Sequence, residues 1–154
     1  MIRIKKSKNA DTRTCDWAKV SEDELLENSK QHIQDVKSGM CLLSDLVKLQ
    51  GEYHDRTKIL FIKDFHNNFK NGFKERFTSW WEMHQKTERH HLKNEQFIQD
   101  DVNLIDILEQ ITDGVMAGLA RSGEYRQEQI SPEILKRAYD NTVKLLLLNV
   151  IVEE

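Results

Sequence analysis

Between Val20 and Gly51 the chain runs for about thirty residues without a proline, while Leu25, Leu26, Ile33, Val36, Met40, Leu43, Leu46, Val47 and Leu49 recur at helical spacing. A stretch that long and that periodic commits this part of the chain to a helix. Ser21 with Glu24 three residues later is the pattern in which side chains and backbone cap a helix start reciprocally. Gly51 suits the position just past a helix end, and Gly39 is where the helix can bend.

The remaining segments follow the same period. Ile59, Leu60, Ile62, Phe65 and Phe69 predict a second helix that stops at Asn71-Gly72. Phe73, Phe77, Trp80, Trp81 and Met83 form a third apolar segment running to His84 and on to His90-His91; its aromatic residues read as core rather than as a base-stacking platform. Lys93 to Asp101 reads as a loop or a poor helix. Asn103 caps the next helix, whose stripe of Leu104, Ile107, Leu108, Ile111, Val115 and Leu119, widened by Ile105 and Met116, should be the most buried, ending near Gly123. Ser131-Pro132-Glu133 starts a last helix through Leu135, Ala138, Tyr139, Val143 and Leu146. With one proline, six glycines and almost no strand signal, the expected fold is all-α. It is a single-domain bundle of about five to six helices, with residues 1–20 as an extended N-terminal arm and 21–154 as the helical domain.

A chain of 154 residues buries a sizeable core without disulfides or metal staples. Its net charge of -3 gives no cationic field to recruit a nucleic-acid polymer or an anionic membrane. The one basic cluster, Arg3, Lys5, Lys6 and Lys8, reads as a solvated terminal run. Cys15 and Cys41 make neither a disulfide framework nor a metal-binding pair, which suits a reducing cytoplasm. The start of the chain lacks the apolar region of a secretory signal. The longest apolar run, Leu145 to Leu148 followed by Val150-Ile151-Val152, falls short of the roughly 20 residues of a membrane span. The expected setting is cytoplasmic.

The chemistry lies in His54-Asp55, a nitrogen and an oxygen ligand side by side, accompanied by His32, His84, His90-His91 and Asp113. Imidazole and carboxylate bind divalent metals of intermediate hardness, and a carboxylate can bridge two ions where an imidazole cannot. One ion would take His32, His54 and Asp113, a second would take His84 with His90 or His91, and Asp55 would be shared. These residue types do not distinguish Mn, Fe, Mg, Zn, Co or Ni. Asp113 interrupts an aliphatic stripe, where an unpaired carboxylate would cost several kcal/mol, so it is expected to meet a cation or several hydrogen bonds. Asp106, on the same face, reads as surface near the helix start, with orientation of a ligand histidine as the alternative. His66 reads as surface. Lys58, one turn beyond Asp55, faces the metal site and could hold a phosphate. Arg121 is a weaker candidate for that task. Arg13, in the segment Ala10 to Thr14, would contact an anion only if the arm folds over the pocket, and an ordinary extended arm is the favoured reading.

The order His, His-Asp, Asp on helices resembles the HD-domain superfamily of metal-dependent phosphohydrolases. The added His84 and His90-His91 resemble the expanded ligand set of its binuclear members, such as cyclic-dinucleotide phosphodiesterases and inositol oxygenase, though they lie closer together here. From about Ala10 to Val152 the chain is similar to a family of small HD-like proteins encoded by tailed phages. The likeness is carried by Ala10-Asp11-Thr12-Arg13-Thr14, His32-Ile33-Gln34-Asp35-Val36, His54-Asp55-Arg56-Thr57-Lys58, Glu88-Arg89-His90-His91-Leu92, Asp101-Val102-Asn103-Leu104-Ile105-Asp106 and Gly118-Leu119-Ala120-Arg121-Ser122-Gly123. The resemblance implies an HD-like bundle working in a phage-infected host cytoplasm, in nucleotide metabolism or defence evasion.

The resulting expectation is a divalent-metal phosphohydrolase, with one or two ions, acting on a nucleotide or small phosphoester, with Asp55 and Lys58 at the centre of catalysis. A non-catalytic module binding a nucleotide or a host protein on the same fold, and a diiron oxygenase, are the alternatives. Aromatic-rich surfaces are compatible with a homo-oligomer.

Overall fold

A computed structural model describes residues 1–6, 16, 18–72, 79–125 and 129–153. Lys8, the segment Ala10 to Thr14 with Arg13, Cys15, Phe73 and Phe77 lie outside the described residues. The elements in order are β1 (Ile2–Lys5), α1 (Glu22–Tyr53), α2 (Arg56–Leu60), α3 (Ile62–Lys70), α4 (Ser79–Thr87), a 3-10 turn (Glu95–Phe97), α5 (Leu104–Ser122), α6 (Pro132–Leu148) and β2 (Val150–Glu153). The fold is all-α apart from one small sheet. Among the described residues no helix is long and apolar enough to cross a membrane.

The chain divides into two compact units, residues 1–45 with 143–154, and residues 46–142. In the first, β1 and β2 pair in parallel, Ile2 opposite Val150 and Lys5 opposite Glu153. Arg3 bridges to Glu153 at 2.7 Å. The extended arm therefore begins with a strand, and its partner is the apolar Val150-Ile151-Val152. Parallel partners need a long crossover, and here the intervening chain supplies it. Ser21 and Glu24 cap α1 as expected, with Glu24 N to Ser21 Oγ at 3.2 Å and Ser21 N to Glu24 Oε2 at 3.0 Å. The helix is longer than expected: Gly51 lies inside it and it stops at Tyr53.

In the second unit, the expected helix after His54-Asp55 is broken at Phe61, whose φ of -115° and ψ of 40° leave the helical range, giving α2 and α3. Gly72, with φ of 63°, follows the end of α3 in the left-handed region that glycine adopts freely. Asn103 opens α5 with a capping box, its side chain accepting from Ile105 N at 2.9 Å while Asp106 Oδ2 accepts from Asn103 N at 2.9 Å. The helix closes on Gly123 with φ of 72°.

The core joins Leu92, Ile98, Val102, Ile107, Ile134 and Ala138, with Leu104 and Ile130 packed around it. Leu92, Ile98 and Val102 come from the stretch around the expected polar loop. Asn141 Nδ2 holds that stretch by donating to the carbonyls of Asp100 and Val102. Because this core meets only the first turns of α5, Ile105, Asp106, Ile107 and Gln110 are buried there. Leu108, Ile111, Met116 and Leu119, expected in the core, are exposed.

Candidate metal centre

The centre starts at the turn between α1 and α2. Asp55 has φ of 55° and ψ of 22°, the left-handed conformation, and is the only non-glycine with positive φ among the described residues. That conformation costs an ordinary L-residue roughly 1–2 kcal/mol, less for Asp or Asn, whose short polar side chains bond locally. The turn brings the His54 and Asp55 side chains together, with Nε2 to Oδ2 at 3.4 Å.

The end of α4 and the turn after it bring His84, His90 and His91. Thr57 latches this segment: its backbone N–H and its hydroxyl both donate to Glu88 Oε1, at 2.8 and 2.5 Å. With its one proton given to Glu88, the hydroxyl oxygen accepts from His84 Nδ1 at 2.6 Å. His84 therefore carries its proton on Nδ1 and turns the Nε2 lone pair towards Asp55 Oδ1, 3.5 Å away. Arg89 anchors the histidine doublet by a fork onto buried Asp106, Nε to Oδ1 at 2.7 Å and Nη2 to Oδ2 at 2.9 Å. Nη1 reaches Asp101 at 2.9 Å.

Two groups of ligand atoms result, each with all members within 4.8 Å of one another: His54, Asp55 and His90, and Asp55, His84 and His91. Asp55 belongs to both. His84 and His91 meet through their Nε2 atoms at 2.9 Å, and the His54 and His90 rings lie 4.5 Å apart. Asp55 Oδ1 and His90 Nε2 are buried without a hydrogen-bond partner, while His90 Nδ1 lies 3.2 Å from Glu109 Oε1. His90 Nε2 faces Asp55 Oδ1 at 3.9 Å. Orphaned buried polar atoms cost about 1–3 kcal/mol each unless something binds them. A divalent cation is a partner that these donors accept together. The buried histidine–aspartate cluster can hold a metal ion.

The electrostatics suit such an ion. Burial pushes His84 down to about 4, and burial with the neighbouring His90 and His84 pushes His91 down to about 3, so both rings are neutral at pH 7 with lone pairs to donate. Burial pushes the Asp55 carboxyl up, but Lys58, His54 and His90 outweigh it and keep it below the usual carboxylate range. Burial acts the same way on Glu109, where hydrogen bonds involving His90, Gln50 and His54 prevail and lower it. His90 is lowered by burial and raised more strongly by Glu109, Asp55 and Asp113.

Of the residues singled out from sequence, His54, Asp55, His84, His90 and His91 come together. Asp113 Oδ1 lies at the edge, 3.5 Å from His54 Nε2. Its side chain is 37% exposed rather than buried, since the buried residues of α5, Ile105, Asp106, Ile107 and Gln110, all lie in its first turns. Lys58 ion-pairs with Asp55 Oδ2. His32 is exposed on α1 and belongs to neither ligand group. His32 lies within α1, whereas His54 follows its end at Tyr53. Arg121 is exposed near the end of α5, and His66 is exposed. Trp80 is buried, stacked on His84 with centroids 4.9 Å apart and on Phe65 at 4.8 Å.

Asp106, read as surface, is 1% exposed because it serves both the helix cap and Arg89. Sequence reasoning missed Glu109, whose Oε1 lies 2.8 Å from His54 Nδ1 and 3.2 Å from His90 Nδ1. Its spacing of four residues from Asp113 on a helix was the available signal.

The fold and site together define a helical protein with a histidine–carboxylate cluster competent for metal. Compared with known proteins, the chain matches no family model, no curated protein and no solved structure.

Proposed function

We propose that this protein is a divalent-metal phosphohydrolase acting on a nucleotide or small phosphoester. The observation that carries the reading is the position of Asp55 in two ligand groups at once, with an orphaned oxygen facing His84 and His90. Each group offers three protein ligands and leaves coordination positions for water and substrate, the pattern of catalytic rather than structural sites. A bound divalent ion would polarise a phosphoryl oxygen and lower the pKa of a bound water.

The chain's own residues would do the rest. Glu109 and Thr57 hold the proton on Nδ1 of His54 and His84, which leaves Nε2 of each free to coordinate. Lys58, held beside Asp55, supplies a cation for a phosphate oxygen. A cavity of about 230 Å³ lined by Trp81, Gln85, His90, His91, Lys93, Gln110 and Asp113 gives access to the histidine doublet. In hydrolysis the ester P–O bond is exchanged for one from water, and the released alcohol takes the proton that water loses.

The test is phosphate release from a panel of mononucleotides, cyclic nucleotides and simple phosphomonoesters, with protein loaded in turn with Mn, Fe, Zn, Co, Ni and Mg. Turnover with at least one pairing, abolished by Asp55→Ala, is expected. Silence across the whole panel in protein shown by elemental analysis to carry metal would overturn the reading.

A further inference from the structure

Next to the cluster lies a second, larger cavity of about 340 Å³, between the last turns of α1 and the face of α5. Its chemistry differs from that of the metal centre. Val47, Ile105, Leu108 and Met116 form the walls, and His54, Glu109 and Asp113 close one end. Among the described residues no lysine or arginine lines it, and two of the three ionisable groups at its end are acids. A second phosphate placed there would meet the carboxylates of Glu109 and Asp113, with no cation among the described lining residues to offset them. The two neutral polar side chains on the wall already donate within the protein, Gln50 Nε2 to Glu109 Oε2 at 2.6 Å and Thr112 Oγ1 to the Leu108 carbonyl at 2.8 Å.

Gly51 is the second observation. It lies inside α1, where glycine costs about 1 kcal/mol relative to alanine. It has no positive φ to require glycine, and a Cβ built on it would meet nothing within 4 Å. Among the described residues nothing in the packing demands a glycine at 51. Its effect is to leave the α1 side of the cavity open.

We infer that this cavity takes the uncharged, apolar part of the substrate, an alkyl or aryl group whose phosphate lies at the histidine cluster. The preferred substrate is then a monoester of an apolar alcohol or phenol rather than a nucleotide or a polyphosphate. A nucleobase would leave its own polar edges unpaired against these walls, a penalty that an alkyl or aryl group does not carry. At 340 Å³ the cavity is near the lower end of the roughly 300–1,000 Å³ of small-molecule sites, which suits a short chain or fused ring. The inference rests on the hydrolase reading for the fate of the phosphate, and on the cavity alone for the binding of the apolar group.

The experiment separates the two. Binding of 2-naphthol, which carries no phosphate, is measured by ligand-observed NMR on the full chain, with adenosine as competitor. Two variants fill the cavity from opposite walls, Gly51→Leu and Thr112→Phe, with folding checked by circular dichroism. Gly51→Leu replaces a poor helix former by a good one. Expected are naphthol binding, at least about tenfold weaker in each folded variant, and no displacement by adenosine. In turnover, KM should fall about fourfold for each methylene added from ethyl to butyl phosphate, as each buried CH2 dictates.

Naphthol bound equally by both folded variants, or displaced by adenosine, overturns the inference. Turnover that ignores chain length overturns it too, while leaving the hydrolase reading intact. Naphthol binding blocked by the variants, with no phosphate released from any ester, upholds the cavity and removes the hydrolase.

Discussion

Glu109 Oε1 lies 2.8 Å from His54 Nδ1, while the other carboxylate oxygen accepts from Gln50 Nε2 at 2.6 Å. The carboxylate is thus fixed on one side and fixes an imidazole on the other. A ligand histidine oriented in this way presents Nε2 without searching other tautomers or ring positions. Glu109→Ala should weaken divalent-metal binding about 10- to 100-fold, measured by titration calorimetry with Mn or Zn. Unchanged affinity would show that His54 needs no such support.

Asp55 is the residue both ligand groups share. Asparagine tolerates the left-handed turn as aspartate does, so Asp55→Asn should keep the helical content while removing the bridging charge. Elemental analysis should then find fewer ions per chain than in the parent protein. The full complement of metal in Asp55→Asn would mean that the carboxylate is not the shared ligand.

A metal that binds the folded chain alone stabilises it by mass action, about 2.7 kcal/mol at one hundred times Kd. For a chain of this size each kcal/mol raises Tm by about 2–4 °C. Added Mn or Zn should therefore raise Tm by about 5–10 °C, and chelator should reverse the shift. A flat Tm across all the metals tested would count against a built site.

His84 and His91, held near 4 and 3 in the folded chain, ordinarily titrate near 6.5. As pH falls below about 6.5 the unfolded chain takes up protons that the folded chain refuses, so their contribution to stability is present above that pH and lost on acidification. The metal-free protein should lose thermal stability between about pH 6.5 and pH 4, and His91→Gln should flatten the slope. Scans of Tm against pH on the two proteins check this.

Arg89 forks onto Asp106, which is 1% exposed. Removing the guanidinium strands a buried carboxylate, so Arg89→Ala should destabilise by about 3–5 kcal/mol in urea unfolding. The double replacement of Arg89 by Met and Asp106 by Asn should recover part of that loss. The same variants should bind metal more weakly, because the fork carries the turn that presents His90 and His91.

The helices were legible because their signals are local. Ser21 with Glu24, Asn103 as a cap, and Gly123 act within a few residues of themselves, and apolar spacing reports which face turns inward. The break at Phe61 and the continuation past Gly51 were not legible, since each depends on what packs beside it. The strand at Ile2 to Lys5 was hidden for the same reason, its partner lying at the far end of the chain. In the centre, His54, Asp55, His84, His90 and His91 stood out by residue type alone. His32 was indistinguishable from them by that criterion, and it is exposed.

The sequence by itself determined the helical class, most helix starts and the residue types able to bind a metal, because propensity, capping and ligand chemistry are properties of short stretches. Only the tertiary structure decided that Asp55 stands between two sets of imidazoles, that Glu109 and Thr57 set their tautomers, and that Gly51 opens a cavity beside them. Those are relations between side chains brought together from several helices and turns. Distances of this kind arise only when packing sets where one element lies against another.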